Sequence, residues 1–152
     1  MKVLHLDSNH SILLTALENL NIDNHCDFSS PKNIIENIIG DFHGIVIRSR
    51  FTIDRQFIDK AINLKFIARV GAGLENIDTV YAKSKGIHLI SAPEGNSNAV
   101  GEHTLGLLLN LTNKITRANN EVKEGFWQRE TNRGYELEGK TIGIIGYGNM
   151  GK

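Results

Sequence analysis

The chain has 152 residues, of which 40% are hydrophobic, so it can bury one hydrophobic core, or one core and part of another. Its 17 Lys and Arg residues balance its 17 Asp and Glu residues, which argues against nucleic acid or an anionic membrane surface as a partner. The single cysteine, Cys26, excludes an internal disulfide, has no neighbours at metal-ligand spacing and favours a reducing, cytoplasmic setting.

Short apolar runs alternate with helical patterns through residues 1–97. The runs have the length and boundaries of buried strands, and they lie at residues 3–6, 25–28, 45–48, 66–70 and 88–90. Between them, apolar residues recur at helical spacing, as at Leu13, Ala16, Leu17 and Leu20. Alternating strands and helices imply parallel strands joined by right-handed crossovers. We therefore predict that residues 1–97 form an α/β domain with a flavodoxin-like five-stranded parallel sheet.

Three residues in this region carry local predictions. Asp78, in the stretch NIDTV, has the side chain and position of a helix N-cap. Gly86 fits the end of a helix. Cys26, inside a predicted strand, is expected to behave as a small buried apolar residue.

A different pattern occupies residues 98–152. One long helix is predicted to start near Asn98, with apolar positions that continue to Ile115. Its longest apolar stretch is interrupted by Asn110 and is far shorter than the about 18 residues of a membrane span. The apolar residues 142–145 predict a final strand, and the following GYGNMG has the G-x-G-x-x-G spacing of a dinucleotide-binding turn. We interpret residues 98–152 as a linker helix and the start of an incomplete Rossmann domain.

The loops that follow the third, fourth and fifth predicted strands are rich in groups that bind anions. They contain Arg48-Ser49-Arg50, then Arg69 with Gly71-Ala72-Gly73, and finally Asn96. In open α/β sheets, ligands bind beside the carboxyl ends of the strands, and both guanidinium groups and exposed amides match carboxylate or phosphate oxygens. Each feature also has a plain alternative, surface ion pairing for the arginine and an ordinary turn for the glycines.

Five motifs occur in the order and spacing of a known family: IVIRSR, ARVGAGLENID, SAPEGNSNAVGEH, EGFW and LEGKTIGIIGYGNMG. Over essentially its whole length, the chain resembles the D-isomer-specific 2-hydroxyacid dehydrogenases. The Arg48-Ser49-Arg50 stretch most resembles the members that act on 3-phosphoglycerate, although members that act on glycerate or lactate share most of these motifs.

The resemblance implies a pocket for a small anionic 2-hydroxy or 2-oxo acid. Val70, Gly71 and Ala72 match the loop whose backbone amides receive the substrate carboxylate in the family. Asn96 matches an asparagine that lines the substrate cleft.

Three further residues match positions of the phosphoglycerate-type members. Arg48 and Ser49 match residues on the phosphate-bearing side of the substrate, and Arg69 matches an additional arginine that contacts the anion. The resemblance therefore favours a substrate with two anionic ends.

The cofactor implied by the resemblance is NAD, with Gly146, Gly148 and Gly151 in its pyrophosphate loop. The family's catalytic arginine, glutamate and histidine all lie beyond this loop, so no catalytic residue is assigned in this chain. We expect the chain to be the N-terminal portion of a dehydrogenase, inactive alone, weak in NAD binding and dimeric through residues 98–152. Two alternatives stay open: a regulatory module of the same lineage that resembles corepressors, or a receiver-type domain, for which only Asp7 follows the first strand.

Overall fold

Five short parallel strands form the central sheet of the first part of the chain. They are β1 (Lys2–His5), β2 (Asp23–Cys26), β3 (Gly44–Ile47), β4 (Phe66–Arg69) and β5 (His88–Ser91). The sheet order is β2-β1-β3-β4-β5, and every neighbouring pair is parallel. The computed structural model describes residues 1–152 and divides them into two compact units, residues 1–93 and 94–152. The predicted five-stranded parallel α/β fold is confirmed.

Four helices connect these strands: α1 (Ser11–Asn19), α2 (Lys32–Ile38), α3 (Arg55–Lys60) and α4 (Thr79–Ser84). A short 3-10 turn, Ile39–Asp41, extends α2. The Asp78 carboxylate accepts the Tyr81 N–H at 3.0 Å, which confirms the predicted N-cap of α4. Gly86 lies just past α4 with a φ of 75°, a conformation that glycine adopts without strain, and the Ile87 N–H closes the turn on the Ala82 carbonyl.

The hydrophobic core joins one group of strand residues to helices α2, α3 and α4. Ile45 and Ile67 of the sheet are fully buried, as are Ile35 of α2 and Phe57 of α3, and they belong to one cluster. Helix α1 contributes no buried residue. Cys26 is exposed, so its predicted burial is wrong, because β2 is an edge strand whose side chains are largely open to solvent.

The second unit begins with two helices in place of the single long helix predicted. Helix α5 spans Ser97–Thr112 and α6 spans Ile115–Lys123, with Lys114 between them in a left-handed conformation of φ 52°. The Asn110 side chain accepts the Thr116 N–H at 2.8 Å, and the Asn113 side chain donates to the Leu109 carbonyl at 3.1 Å. Polar side chains that bind nearby backbone groups offer the chain an alternative to helix continuation, so the helix ends where these residues cluster.

Residues 142–145 do not form the predicted strand. Ile142, Ile144 and Ile145 are exposed, and no ladder partner lies beside them. A strand requires hydrogen-bonded pairing to a neighbour, which an apolar run cannot supply by itself. None of the helices combines the length and apolar character needed to cross a bilayer.

Candidate anion site at the carboxyl edge of the sheet

Strand register brings the loops after β3, β4 and β5 to one edge of the sheet. Ile47 pairs with Arg69, and Arg69 pairs with Ser91, so these strands end level with one another. The Val70 N–H continues the ladder by donating to the Ile47 carbonyl at 2.9 Å. Arg48 and the loop of residues 70–73 therefore emerge side by side, as expected for ligand-binding loops of an open parallel sheet.

Arg48 has a fixed backbone and an exposed side chain. Its N–H donates to the Asp7 carboxylate at 2.6 Å. Its carbonyl accepts hydrogen bonds from the Arg69 guanidinium at 3.2 Å and the Asn76 amide at 3.3 Å. The Arg48 guanidinium itself makes no ion pair within the chain, so it is available to an anionic ligand. Ser49, the next residue, is also exposed.

The loops after β3 and β4 are tied together beyond the sheet. Ile53 and Ile77 form an isolated parallel bridge, and both side chains are buried. The Ile53 N–H donates to the Asn76 carbonyl at 2.7 Å, while the Asn76 side chain also donates to the Phe51 carbonyl at 3.3 Å. These contacts make the edge a preorganised pair of loops, which is the usual requirement for a precise binding site.

The glycines after β4 allow side chains to pack closely on the loop. A Cβ atom added to Gly71 would lie 2.5 Å from the Arg69 guanidinium, so Arg69 rests directly on this residue. A Cβ on Gly73 would lie 1.7 Å from the Glu75 carboxylate. The Arg69 and Glu75 side chains are 4.0 Å apart, with 20% of Arg69 and 79% of Glu75 exposed. The Glu75 carboxylate of the same chain therefore lies beside the Arg69 guanidinium, which is predicted to bind an anion.

The backbone amides of this loop are not equally available. The Val70 N–H is used by the Ile47 carbonyl and the Gly71 N–H by the Arg69 carbonyl, each at 2.9 Å. The Ala72 N–H makes no hydrogen bond within the chain. Of the predicted amide donors, Ala72 is the one that this conformation leaves free for a ligand.

Arg50 has a different role from Arg48. Its guanidinium donates to the carbonyl groups of Leu6, Asp27 and Ser30, and it forms an ion pair with Asp27 at 3.6 Å. Hydrogen bonds from Ser30 hold the pKa of the Asp27 carboxyl below its usual value of 3.8, and the charge of Arg50 adds to the effect. Arg50 therefore holds the loops after β1, β2 and β3 together and has few donors left for a ligand.

The remaining predicted residues belong to the second unit. Asn96 is exposed at the N-terminal end of α5, and its side chain makes no capping hydrogen bond. In the glycine turn, Gly146 has a φ of 89°, and a Cβ on Gly151 would lie 2.2 Å from the Gly146 carbonyl oxygen. Space around Gly148 is open, so nothing within the chain requires glycine at this position.

Sequence reasoning missed Asp7 and Asn76 as parts of the site. Both act on the backbone of Arg48 from loops 41 and 28 residues away in sequence. The available signal was position alone, since Asp7 lies two residues past the end of β1 and Asn76 follows the glycines after β4. No group of three His, Cys, Asp or Glu side chains is arranged to hold a metal ion.

Comparison with known proteins gives a consistent assignment. D-3-phosphoglycerate dehydrogenase of Archaeoglobus fulgidus is 44% identical over 110 residues, which are 72% of this chain and 21% of that protein. Hydroxypyruvate reductase of Thermotoga maritima is 38% identical over 147 residues, which are 97% of this chain and 47% of that protein.

Among solved structures, NAD-dependent formate dehydrogenase of Staphylococcus aureus in complex with NAD has a TM-score of 0.84 and 25% identity. The match covers 99% of this chain and 51% of that chain. The chain thus spans about half, or less, of the length of these relatives. The family described as D-isomer specific 2-hydroxyacid dehydrogenase, catalytic domain, matches residues 3–145, and the chain therefore belongs to that family.

Proposed function

We propose that this chain is the N-terminal portion of an NAD-dependent D-2-hydroxyacid dehydrogenase and that residues 1–97 bind its substrate. The proposed substrate pair is 3-phosphoglycerate and 3-phosphohydroxypyruvate, as in serine biosynthesis. The observation that carries the proposal is the exposed, unpaired guanidinium of Arg48 beside Arg69 and the free Ala72 N–H at one edge of the sheet. The phosphate and carboxylate of 3-phosphoglycerate match the two kinds of donor at this edge, the guanidinium groups and the backbone N–H.

The contacts suggest how the substrate is oriented. A guanidinium binds a phosphate through paired charge-assisted hydrogen bonds, so Arg48, helped by the Ser49 hydroxyl, is proposed to hold the phosphate. The loop of residues 70–72 and the Arg69 side chain are proposed to hold the carboxylate. Fixing both ends positions the C2 carbon between them for reaction.

In the proposed overall reaction, the C2 hydrogen leaves as hydride to oxidised NAD and the C2 hydroxyl proton leaves to a base, which yields the 2-oxo acid. This chain contributes binding and orientation. No residue in it is assigned as the acid or base, so we propose that the 152-residue chain binds substrate without turnover.

A second candidate substrate has specific support. The Thermotoga maritima relative, which matches 97% of this chain, is named hydroxypyruvate reductase. Hydroxypyruvate lacks the phosphate, so a site built for it would use the carboxylate contacts at residues 70–72 without needing Arg48. The role of Arg48 therefore separates the two candidates.

The test is a calorimetric or NMR titration of the 152-residue chain with 3-phosphoglycerate and with glycerate. Arg48→Ala should weaken 3-phosphoglycerate binding by about tenfold or more, because it removes hydrogen bonds to a charged group. Glycerate binding should change little. Lys65→Ala is the matched control, since it removes an exposed positive charge at the opposite end of β4.

The outcomes are distinct. Equal binding of both ligands by the wild type, unaffected by Arg48→Ala, would favour the hydroxypyruvate-type substrate. If the chain binds neither 3-phosphoglycerate nor glycerate, substrate recognition by this chain is contradicted.

We also propose that the glycine turn contributes to the NAD site. The positive φ of Gly146 and the close approach of Gly151 form the turn, and the open space at Gly148 suits close approach of a pyrophosphate. Residues 149–151 form only a turn here, whereas pyrophosphate binding draws on a helix N-terminus. NAD should therefore bind this chain with a Kd of about 1 mM or weaker, and micromolar binding in calorimetry would refute this part.

Finally, we propose that residues 98–152 pair with a second copy of the chain. Support comes from large exposed apolar side chains on α5 and after α6: Leu105, Leu107, Leu109, Leu111 and Trp127. Exposed apolar side chains in this number commonly mark an interface. Sedimentation velocity should give a dimer that Leu111→Glu dissociates, and a wild-type monomer at high concentration would contradict the proposal.

A further inference from the structure

We propose that Asp7 is a positioning residue that holds the backbone of Arg48 so that its guanidinium faces the anion site. This inference rests on the proposed role of Arg48 in binding a phosphate-bearing substrate. The sequence alone shows Asp7 only as a lone acidic residue after β1, whereas the folded chain joins it to Arg48.

The need for such a residue follows from where β3 ends. Ile47 is the last residue of β3 and its carbonyl still accepts the Val70 N–H. Arg48 lies one step farther, where neighbouring strands no longer offer ladder partners. A backbone group without a partner costs free energy unless water or a side chain satisfies it. The Asp7 carboxylate meets this need for the Arg48 N–H at 2.6 Å.

Asp7 is itself held in place by the sheet and by Arg50. The Leu6 N–H donates to the Val46 carbonyl at 2.8 Å, so Asp7 is the first residue beyond the β1–β3 ladder. The Arg50 guanidinium returns to the Leu6 carbonyl at 2.8 Å. The loops after β1 and β3 are therefore joined by two hydrogen bonds of opposite sense. The Asp7 side chain binds the backbone of the loop after β3, and the Arg50 side chain binds the backbone of the loop after β1.

The Arg48 carbonyl is held from the opposite side. Arg69 and Asn76 both donate to it, at 3.2 and 3.3 Å. Both polar groups of the residue 48 backbone are therefore occupied, while its exposed side chain keeps its donors for a ligand. Preorganisation of this kind lowers the entropy cost of binding.

The negative charge of the Asp7 carboxylate should weaken binding of an anionic ligand, and this effect makes the proposal testable. A negative charge this close to an anion site repels the ligand, although its oxygen is required as the acceptor for the Arg48 N–H. Asp7→Asn keeps an acceptor oxygen and removes the charge, whereas Asp7→Ala removes both. Because the two variants carry the same charge, the difference between them isolates the hydrogen bond.

The experiment uses the 152-residue chain and two readouts. Amide hydrogen exchange of Arg48 should accelerate about tenfold in Asp7→Ala, the size expected for loss of a charge-assisted hydrogen bond, and change little in Asp7→Asn. In NMR titrations with inorganic phosphate and with 3-phosphoglycerate, Asp7→Asn should bind several-fold more tightly than Asp7→Ala. Asp7→Asn should also bind more tightly than the wild type at low salt, and this gain should shrink at high salt.

The outcomes separate this inference from the proposed function. Unchanged Arg48 exchange in Asp7→Ala, or equal affinities of the two variants, would overturn the positioning role. If the wild type binds neither ligand, the proposed function fails, yet the exchange data still decide whether Asp7 holds Arg48. If Asp7→Ala does not fold, Asp7→Ser takes its place, because its oxygen lies one bond closer to the backbone than the Asp7 carboxylate oxygens, and unchanged Arg48 exchange in that variant overturns the inference.

Discussion

The two units of the chain differ most in what they bury. Every buried hydrophobic side chain lies between Val3 and Ile87, within residues 1–93. Residues 94–152 contain no buried residue, although α5 and α6 are regular helices. Isolated helices of about 12–15 residues or fewer are marginal in water. Without buried residues, the second unit lacks the packing that normally stabilises such helices. Buried packing within the chain therefore supports the first unit and not the second.

The difference extends to the way each unit presents chemistry. In the first unit, loops after the strands are fixed by a buried bridge between Ile53 and Ile77 and by side chains that bind the backbone of Arg48. In the second unit, Leu111 is 77% exposed and Trp127 is 80% exposed. The rigid polar loops suit the ligand binding that we propose for the first unit, and the exposed apolar side chains suit the self-association that we propose for the second.

The largest expected effect on the free energy of unfolding comes from truncating a buried side chain in the hydrophobic core of the first unit. Phe57 is fully buried between helix and sheet, so Phe57→Ala should cost about 3–5 kcal/mol of the free energy of unfolding. The matched change Leu107→Ala removes a side chain that is 56% exposed and, at a protein concentration low enough to keep the chain monomeric, should cost less than about 0.5 kcal/mol. Urea denaturation followed by circular dichroism measures both, and similar losses would mean that the second unit has a core of its own.

This contrast also shows which parts of the fold the sequence could predict. Apolar runs and helical stripes are local signals, and each of the five strands lies within a few residues of its predicted position. The helix break at Lys114 was missed, because a left-handed residue stabilised by Asn110 and Asn113 leaves little trace in hydrophobic periodicity. The prediction of a strand at residues 142–145 is wrong, because a strand requires a hydrogen-bonded neighbour that the apolar pattern does not reveal.

A second test uses the one buried carboxylate of the first unit's helices. Glu36 is 3% exposed and accepts hydrogen bonds from Lys60 at 2.7 Å and Gln56 at 2.9 Å, which joins α2 to α3. The Lys60 ammonium group holds the pKa of the Glu36 carboxyl below its usual value of 4.5. Glu36→Gln should therefore cost about 1–3 kcal/mol at pH 7.

The pH dependence of that cost fixes its origin. Because the pKa of Glu36 is lower in the folded state, its stabilisation is complete above pH 4.5 and is lost as the pH falls through the folded-state value. The gap between wild type and Glu36→Gln should therefore close as the pH falls from 7 toward 3 in urea denaturation. A gap that stays constant would show that packing, and not charge, holds the two helices together.

The candidate site was predictable in its location and less so in its detail. The rule that ligands bind beside the carboxyl ends of parallel strands placed Arg48, Arg69 and the glycine loop correctly at one edge, because that edge is set by topology. The contacts of Asp7 and Asn76 with Arg48 join distant parts of the chain. Only the folded backbone reveals which amides of the loop are already in use.

A smaller effect is expected at the glycine that ends α4. Gly86 has a φ of 75° with no neighbour near the position of a Cβ atom, so Gly86→Ala suffers from backbone strain and not from a clash. The expected loss is about 1–2 kcal/mol in the free energy of unfolding. Thermal denaturation would measure it, and an unchanged midpoint would indicate that this turn relaxes in solution.

The corresponding change in the second unit should have the opposite sign. Gly101 lies inside α5 with an ordinary helical conformation and open space where a Cβ would be. Gly101→Ala should therefore stabilise α5 by about 0.5–1 kcal/mol through lower backbone entropy in the unfolded state. Slower amide exchange along α5 would register this gain, with unchanged exchange in β3 as the internal control. If the substitution instead loosens α5 and weakens self-association, the glycine allows close approach of a second chain, and the open face of α5 is an interface at that residue.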